Sequence, residues 1–329
     1  MPDHVTRRRV LGASLPGSML LRIGVPRAEA AWPSRPVRVV VPFPPGQSTD
    51  VLPRIVAEAL SRRWPHRVVV ENRPGGVGTV GTEAVARSAP DGHTLGIGAV
   101  STLAVNPAVL PNLPYDVERD LAPVAKLFDV ALAVVAHPAL PARTMPELVD
   151  WLRRHPGTRY GSAGPATTPH LAAELFAARL GLGLVHVPYR GSGPAMADLV
   201  AGTVPLMFDT VSIAMPQAQG GRERLLGVTG AARVAQIPET PTVAETVSPD
   251  FEAVAWGGLV APAGTPARLI QAINDDVRHA LGDPAVVARF AELGAVPAPG
   301  IPAGFAAFIR AETAKWGEVV RFARIRLEG

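Results

Sequence analysis

The chain has 329 residues, 47% of them hydrophobic and 18% charged, with no cysteine and a formal net charge of +4. That balance excludes a disordered polymer, and the lack of cysteine excludes disulfides, thiolate metal sites and a cysteine nucleophile. No apolar run reaches the roughly 18 residues that would span a bilayer.

The first segment, residues 1–30, reads as an export signal. Arg7, Arg8 and Arg9 precede a mildly apolar stretch, interrupted by Pro16 and Arg22, and Ala28-Glu29-Ala30 offers the small residues of a cleavage site. Paired arginines before a weak apolar stretch point to twin-arginine export and a mature protein that starts near Ala31. This segment holds five arginines against Asp3 and Glu29, so +3 of the net +4 lies in a removable piece. A nucleic-acid partner needs a basic stripe on a folded face, and none is expected here.

From Ala31 onward, strand-like and helix-like stretches alternate. Val37–Val41, Val68–Val70, Thr94–Ile97, Leu132–Val135, Arg159–Gly161, Leu184–Val187 and Leu225–Val228 read as strands. Asp50–Trp64 reads as a helix with Pro53 in its first turn. Thr144-Met145-Pro146-Glu147 is a capping box. Thr168-Pro169 and Thr265-Pro266 place a cap before an N1 proline, and Asp283-Pro284 opens a helix that Gly294 closes. Such alternation predicts an α/β protein with mainly parallel sheets flanked by helices.

Glycine and small polar residues gather just after these strands. The loop after the first offers Phe43, Pro45, Gly46, Gln47, Ser48, Thr49 and Asp50, and the loop after the third Ser101 and Thr102. Ser162, Ala163 and Thr167 follow the fifth strand, with His170 in the next helix; Tyr189, Gly191 and Ser192 follow the sixth. Ligands of open α/β sheets sit outside the carboxyl ends of the strands, where backbone N–H groups and helix N-termini attract anions. Asp209, after Leu206-Met207-Phe208, has two readings: a partner for a ligand ammonium or hydroxyl, or a helix cap or turn residue.

These loops carry a resemblance. Val41-Pro42-Phe43-Pro44-Pro45-Gly46-Gln47-Ser48-Thr49-Asp50, Val70-Glu71-Asn72-Arg73-Pro74-Gly75-Gly76, Ala89-Pro90-Asp91-Gly92-His93-Thr94-Leu95, Tyr160-Gly161-Ser162-Ala163-Gly164, Pro169-His170-Leu171, Val187-Pro188-Tyr189-Arg190-Gly191 and Ala261-Pro262-Ala263-Gly264-Thr265-Pro266 occur in that order. The set resembles the Bug-type receptors, periplasmic components of tripartite tricarboxylate transporters, from about Pro33 to the C-terminus. The resemblance implies a two-lobed periplasmic-binding-protein (Venus flytrap, type II) fold. It also implies carboxylate recognition largely by backbone amides and ordered water, and integral membrane transporter subunits as partners. It places the lobe crossings near Leu132 and Ala255, giving one lobe of residues 33–130 and 254–329 and another of 131–253. A periplasmic monomer without cofactor is expected. The chain departs from the family pattern in three places: Gln47 follows Gly46 where a second glycine is usual, Pro165-Ala166 replaces a glycine, and Gly193 stands in place of alanine.

Other chemistries are weaker. Gly76-Val77-Gly78-Thr79-Val80-Gly81 matches the dinucleotide fingerprint in form, but it follows the second strand and no acidic residue lies about 20 residues on. A nucleotide-dependent enzyme would need both. Ser162 with His170 and Asp198 composes a Ser-His-Asp set for an exported α/β hydrolase of small esters, but Ser162 is not in a G-x-S-x-G elbow. The eight histidines contain no H-E-x-x-H set, and no metal is expected.

Overall fold

Valine-rich runs make the first strands, and the loops between them turn at once into helices. The computed structural model describes Met1 and residues 32–325, and from Pro33 the chain forms one compact unit. Apart from Met1, the export segment lies outside the described residues. The order opens with β1 (Val37–Val41), α1 (Ser48–Arg63), β2 (Val68–Asn72), a 3₁₀ turn (Gly76–Gly78), α2 (Thr79–Ala86) and β3 (Thr94–Ala99). A π-helical turn (Val100–Val105), α3 (Asn106–Val109), α4 (Val117–Asp120), β4 (Leu121–Ala136) and α5 (Met145–Arg154) follow. Next come β5 (Thr158–Ser162), α6 (Thr168–Leu180), β6 (Leu184–Pro188), α7 (Ser192–Val200), β7 (Leu206–Thr210), α8 (Val211–Gln219) and β8 (Arg224–Val228). The chain ends with α9 (Val243–Thr246), β9 (Val254–Pro262), α10 (Ala267–Leu281), α11 (Pro284–Glu292), β10 (Ala295–Pro297) and α12 (Pro302–Phe322).

The 16-residue β4 organises the strands. Leu121–Ala131 pairs with β9, and β10 lies against Phe128–Val130. From Leu132 to Ala136 the strand changes partners, to β7 and β8. Beyond β9 the first set continues through β3, β1 and β2; beyond β7 the second continues through β5 and β6. The outer pairs β1–β2, β1–β3, β5–β6 and β5–β7 are parallel, whereas β4 and β9 pair antiparallel with all their neighbours.

One hydroxyl fastens the switch point. Thr229, fully buried, accepts from the Leu132 amide at 2.9 Å, and its Oγ1 donates to the Ala253 carbonyl at 2.6 Å, with the Leu132 carbonyl 3.1 Å away. Its backbone adds Thr229 N–H to Leu132 O at 2.8 Å and accepts from Ala253 N–H at 2.9 Å. The stretches where the chain passes between strand sets are thus joined by bonds that need no water.

Aromatic side chains fill the space under this junction. Phe176, Phe208, Phe251, Trp256, Phe305 and Trp316 belong to one buried cluster that runs through both strand sets. Each such side chain contributes roughly 1.5–3 kcal/mol by leaving water. Trp256 and Trp316 both donate to Glu312 Oε2 at 2.7 Å, which ties α12 to β9 and satisfies both indoles. A second buried cluster, with Ala133, Val135, Met196, Leu199 and Met207, fills the space between β4, β7 and α7.

Most start signals land within a residue of expectation. Asp283 caps α11 through the Ala285 amide at 2.9 Å. Thr144 accepts from the Glu147 amide, but Glu147 reaches back to the Arg143 N–H at 2.7 Å rather than to that of Thr144. Thr168 and Thr265 are not the caps: α6 is preceded by Thr167 and α10 by Pro266. Thr167 and Thr265 turn their hydroxyls onto carbonyls three residues back, Gly164 and Pro262, each at 2.7 Å.

Candidate functional site

The loop after β1 is built around a buried carboxylate. Asp50, 3% exposed, accepts from the Gly46 amide at 2.9 Å through Oδ2, and from Asn72 Nδ2 at 2.8 Å and Arg54 Nε at 2.9 Å through Oδ1. Burial acts to raise its pKa, and the Gly46 amide, Asn72 and Arg54 outweigh it, so the carboxyl sits below its ordinary range. Asn72 also donates to the Phe43 carbonyl at 3.0 Å, so β2 holds both ends of the loop. Asp50 therefore shapes the loop, with both oxygens engaged. Pro45 and Gln47 are exposed, and the Gln47 carbonyl accepts from the Asp50 and Val51 amides. The Thr49 hydroxyl is buried without a partner among the described residues.

The glycine fingerprint serves packing. A Cβ on Gly81 would lie 2.8 Å from Pro42 Cα and 2.7 Å from the Arg73 carbonyl, so α2 approaches the first loop more closely than any other residue allows. A Cβ on Gly78 would meet Thr102 Cγ2 at 2.6 Å. Thr102 is itself internal: its Oγ1 accepts from the Ala99 amide at 3.0 Å, and its carbonyl accepts from Tyr115 at 2.8 Å. Ser101 next to it is half-buried.

The loops after β5 and β6 are zipped together. Tyr189 N–H donates to Ser162 O at 3.2 Å, and Gly191 N–H to Ala163 O at 3.1 Å. Behind them lies a stack of rings, His170 on His186 with centroids 3.8 Å apart and Tyr160 5.1 Å from His186. The partner of Ser162 is His186, at 2.7 Å. His170 Nδ1 accepts the Ala166 amide at 3.0 Å, and Asp198 accepts from the Tyr189 hydroxyl at 2.7 Å. The three members of the imagined triad are thus engaged elsewhere. Burial pushes His170 down to about 3, with the neighbouring His186 adding to it, and pushes His186 down to about 4. Both rings are neutral and hold the loop in shape, His170 as an acceptor.

That pair has a consequence for stability. Imidazoles with folded pKa values below the unfolded 6.5 leave the unfolded state binding more protons, so stability rises with pH across this window and is lost on acidification through it. Urea unfolding between about pH 4 and 6.5 is expected to show this slope, worth about 3 kcal/mol for each ring. His186→Gln should roughly halve it, leaving the share of His170, and an unchanged slope in that variant would place its source elsewhere.

Asp209 closes the site from β7. It is 1% exposed and lies within β7, so it is a strand residue, neither a helix cap nor a turn. Its Oδ1 accepts from Ser192 Oγ at 3.0 Å and the Thr210 amide at 2.7 Å, while Oδ2 has no partner among the described residues. Burial pushes this carboxyl up to about 6 against those bonds. Immediately after it, Ser212 in the first turn of α8 lies 3.4 Å from Ser48 in the first turn of α1, oxygen to oxygen. The first loop of one strand set thus meets the β7 loop of the other. Sequence reasoning does not single out Ser212, Thr210, Asn72 or His186; for Ser212 the reason is plain, since 164 residues separate it from Ser48 and only folding joins them.

Two strand sets sharing long crossing strands, with strand-to-helix loops converging from both, define a two-lobed solute-binding protein of the Venus flytrap type. The family model described as "Tripartite tricarboxylate transporter family receptor" matches residues 52–324. The chain belongs to that family, one of periplasmic solute receptors and not of enzymes. It is 37% identical to Protein BugT of Bordetella pertussis over 301 residues, 91% of this chain and 92% of that one. Its structure is similar to that of Rhodopseudomonas palustris Rpa4515 with adipate, with TM-score 0.81 and 34% identity over 90% of this chain and 99% of that one. MatC from the same organism, with bound malate, matches with TM-score 0.76 and 31% identity over 88% of this chain and 100% of that one.

Proposed function

We propose that this receptor captures a small carboxylate, an organic acid or amino acid, between two lobes and delivers it to the integral membrane subunits of its transporter. The lobes are residues 33–130 with 254–329, and residues 131–253. The partner switch of β4 between Ala131 and Leu132 supports the first boundary, and the start of β9 at Val254 the second. The receptor works as a periplasmic monomer, exported by residues 1–30 and cleaved near Ala30.

The observation that carries this reading is the meeting of Ser48 and Ser212 across the loops. The first turns of α1 and α8 bring unpaired N–H groups and positive dipole ends to one place, a setting that favours a carboxylate. The loop from Ser162 to Thr168, before α6, adds a third helix start. The adipate of Rpa4515 and the malate of MatC support the ligand class.

A thermal-shift screen of organic acids and amino acids tests it. A ligand at about 100 times its dissociation constant should stabilise the protein by about 2.7 kcal/mol. No shift with any carboxylate would sink the proposal, and so would chemical conversion of the ligand followed by NMR.

A further inference from the structure

The chain of hydroxyls beside Asp209 has a direction. Ser212 Oγ donates to Thr210 Oγ1 at 3.1 Å. The Thr210 amide and the Ser192 hydroxyl donate to Asp209 Oδ1, at 2.7 and 3.0 Å. The hydrogen of Ser212 is thus committed to the Thr210 oxygen. Ser212 therefore turns a lone pair, not a hydrogen, toward the first loop. Ser48, 3.4 Å away, is left to supply the hydrogen between them.

A bare carboxylate satisfies only one side of this pair. It can take the Ser48 hydrogen and the first-turn amides of α1, but it offers nothing to the Ser212 oxygen. A ligand with a hydroxyl or ammonium on the carbon beside its carboxylate satisfies both. Its donor group replaces Ser48 as the partner of Ser212, and the freed Ser48 hydrogen turns to the carboxylate. Ser212 is half-buried, and once a ligand covers it, an acceptor left unpaired discriminates against the analogue lacking the donor.

Resting on the carboxylate-receptor reading, we infer that Ser212 is a specificity residue, oriented by Thr210, that selects carboxylates bearing an adjacent hydroxyl or ammonium group over unsubstituted ones. No sequence motif marks it, and its role follows from bond direction alone.

Calorimetry with matched probes tests this: propionate, lactate and alanine as one series, succinate, malate and aspartate as the other. The wild-type protein is expected to bind a substituted member at least tenfold more tightly than its parent acid. Ser212→Ala should bring that ratio to within about threefold of unity, chiefly by weakening the substituted ligand, with the parent acid little changed. Thr210→Val should reduce the ratio too, and Thr210→Ser should restore it, an outcome that a packing role would not produce. An unsubstituted acid that binds the wild type as tightly as its substituted partner overturns the inference and leaves the receptor reading intact. A tenfold preference that survives in Ser212→Ala also overturns it. If no probe binds in either series, nor any acid in the wider thermal-shift screen, the carboxylate reading fails and this inference with it.

Discussion

Glu223→Gln is expected to stabilise the protein at about pH 7–8 by about 3 kcal/mol, and to leave stability unchanged near pH 4. Glu223 lies between α8 and β8 with 5% exposure, and neither of its oxygens has a partner among the described residues. Burial first, and then the charge of Asp209, pushes its carboxyl from 4.5 up to about 8. An acid with a folded pKa above its unfolded value keeps its proton in the folded state while the unfolded chain has lost it. The contribution is fully present below about pH 4.5 and is lost as pH rises toward 8. Glutamine has nearly the same shape and no proton to lose, so the variant escapes the loss. Chemical denaturation at several pH values measures the difference directly. Equal stability of the two proteins near pH 8 would mean that the carboxylate finds solvent or a partner there. The slope also opposes that of the buried histidines where the two windows overlap, between about pH 4.5 and 6.5.

Much of the architecture is legible before folding, because it rests on local rules. The helix read as Asp50–Trp64 forms as Ser48–Arg63, since its apolar face and the first-turn position of Pro53 are local properties. β4 was legible only in its second half. Pro123, Lys126 and Asp129 break the apolar run of the first half, and they are tolerated for reasons found only in three dimensions. Lys126 pairs with Asp129 at 2.7 Å, and its ammonium lies 3.8 Å from the Phe308 ring centre. β7 was missed as a strand, since Leu206–Thr210 is short and ends in two polar residues. Asp209 was named from sequence for the chemistry it offers, but its partners Ser192 and Thr210, and the approach of Ser48 to Ser212, are products of topology. The candidate loops were legible as places where a ligand binds. Which side chains face the ligand and which hold the loop was not, and Asp50 shows why: an acidic residue in a glycine-rich loop looks like a ligand contact whether it points out or in.

Asp50→Asn should weaken ligand binding by at least tenfold while the protein still folds, although both side-chain oxygens are engaged within the protein. The wild-type carboxylate receives three donors, from Gly46, Asn72 and Arg54. An asparagine keeps the volume but turns one acceptor into an NH₂ group. That group then faces either the Gly46 amide or the Asn72–Arg54 pair, donor against donor, whichever way the amide is flipped. The Arg54 guanidinium also loses a partner that is 4% exposed at its side chain. Breaking a buried hydrogen-bonded charge pair costs about 3–5 kcal/mol, and because Arg54 is 44% exposed at its side chain and water can reach it, about 2 kcal/mol of global stability is the expected loss. The affinity loss has a different origin. Gly46 holds φ at +94°, a conformation that the Asp50 bond fixes and that few residues adopt. Without that bond the turn samples other conformations, and the α1 amides meet the carboxylate only part of the time. Calorimetry gives the affinity and urea unfolding the stability. Asp50→Ala should lose more stability than the asparagine variant, because it also leaves a hole and strands Asn72. Full affinity in Asp50→Asn would mean that the loop keeps its shape without the clamp, and that the recognition surface lies outside residues 43–50.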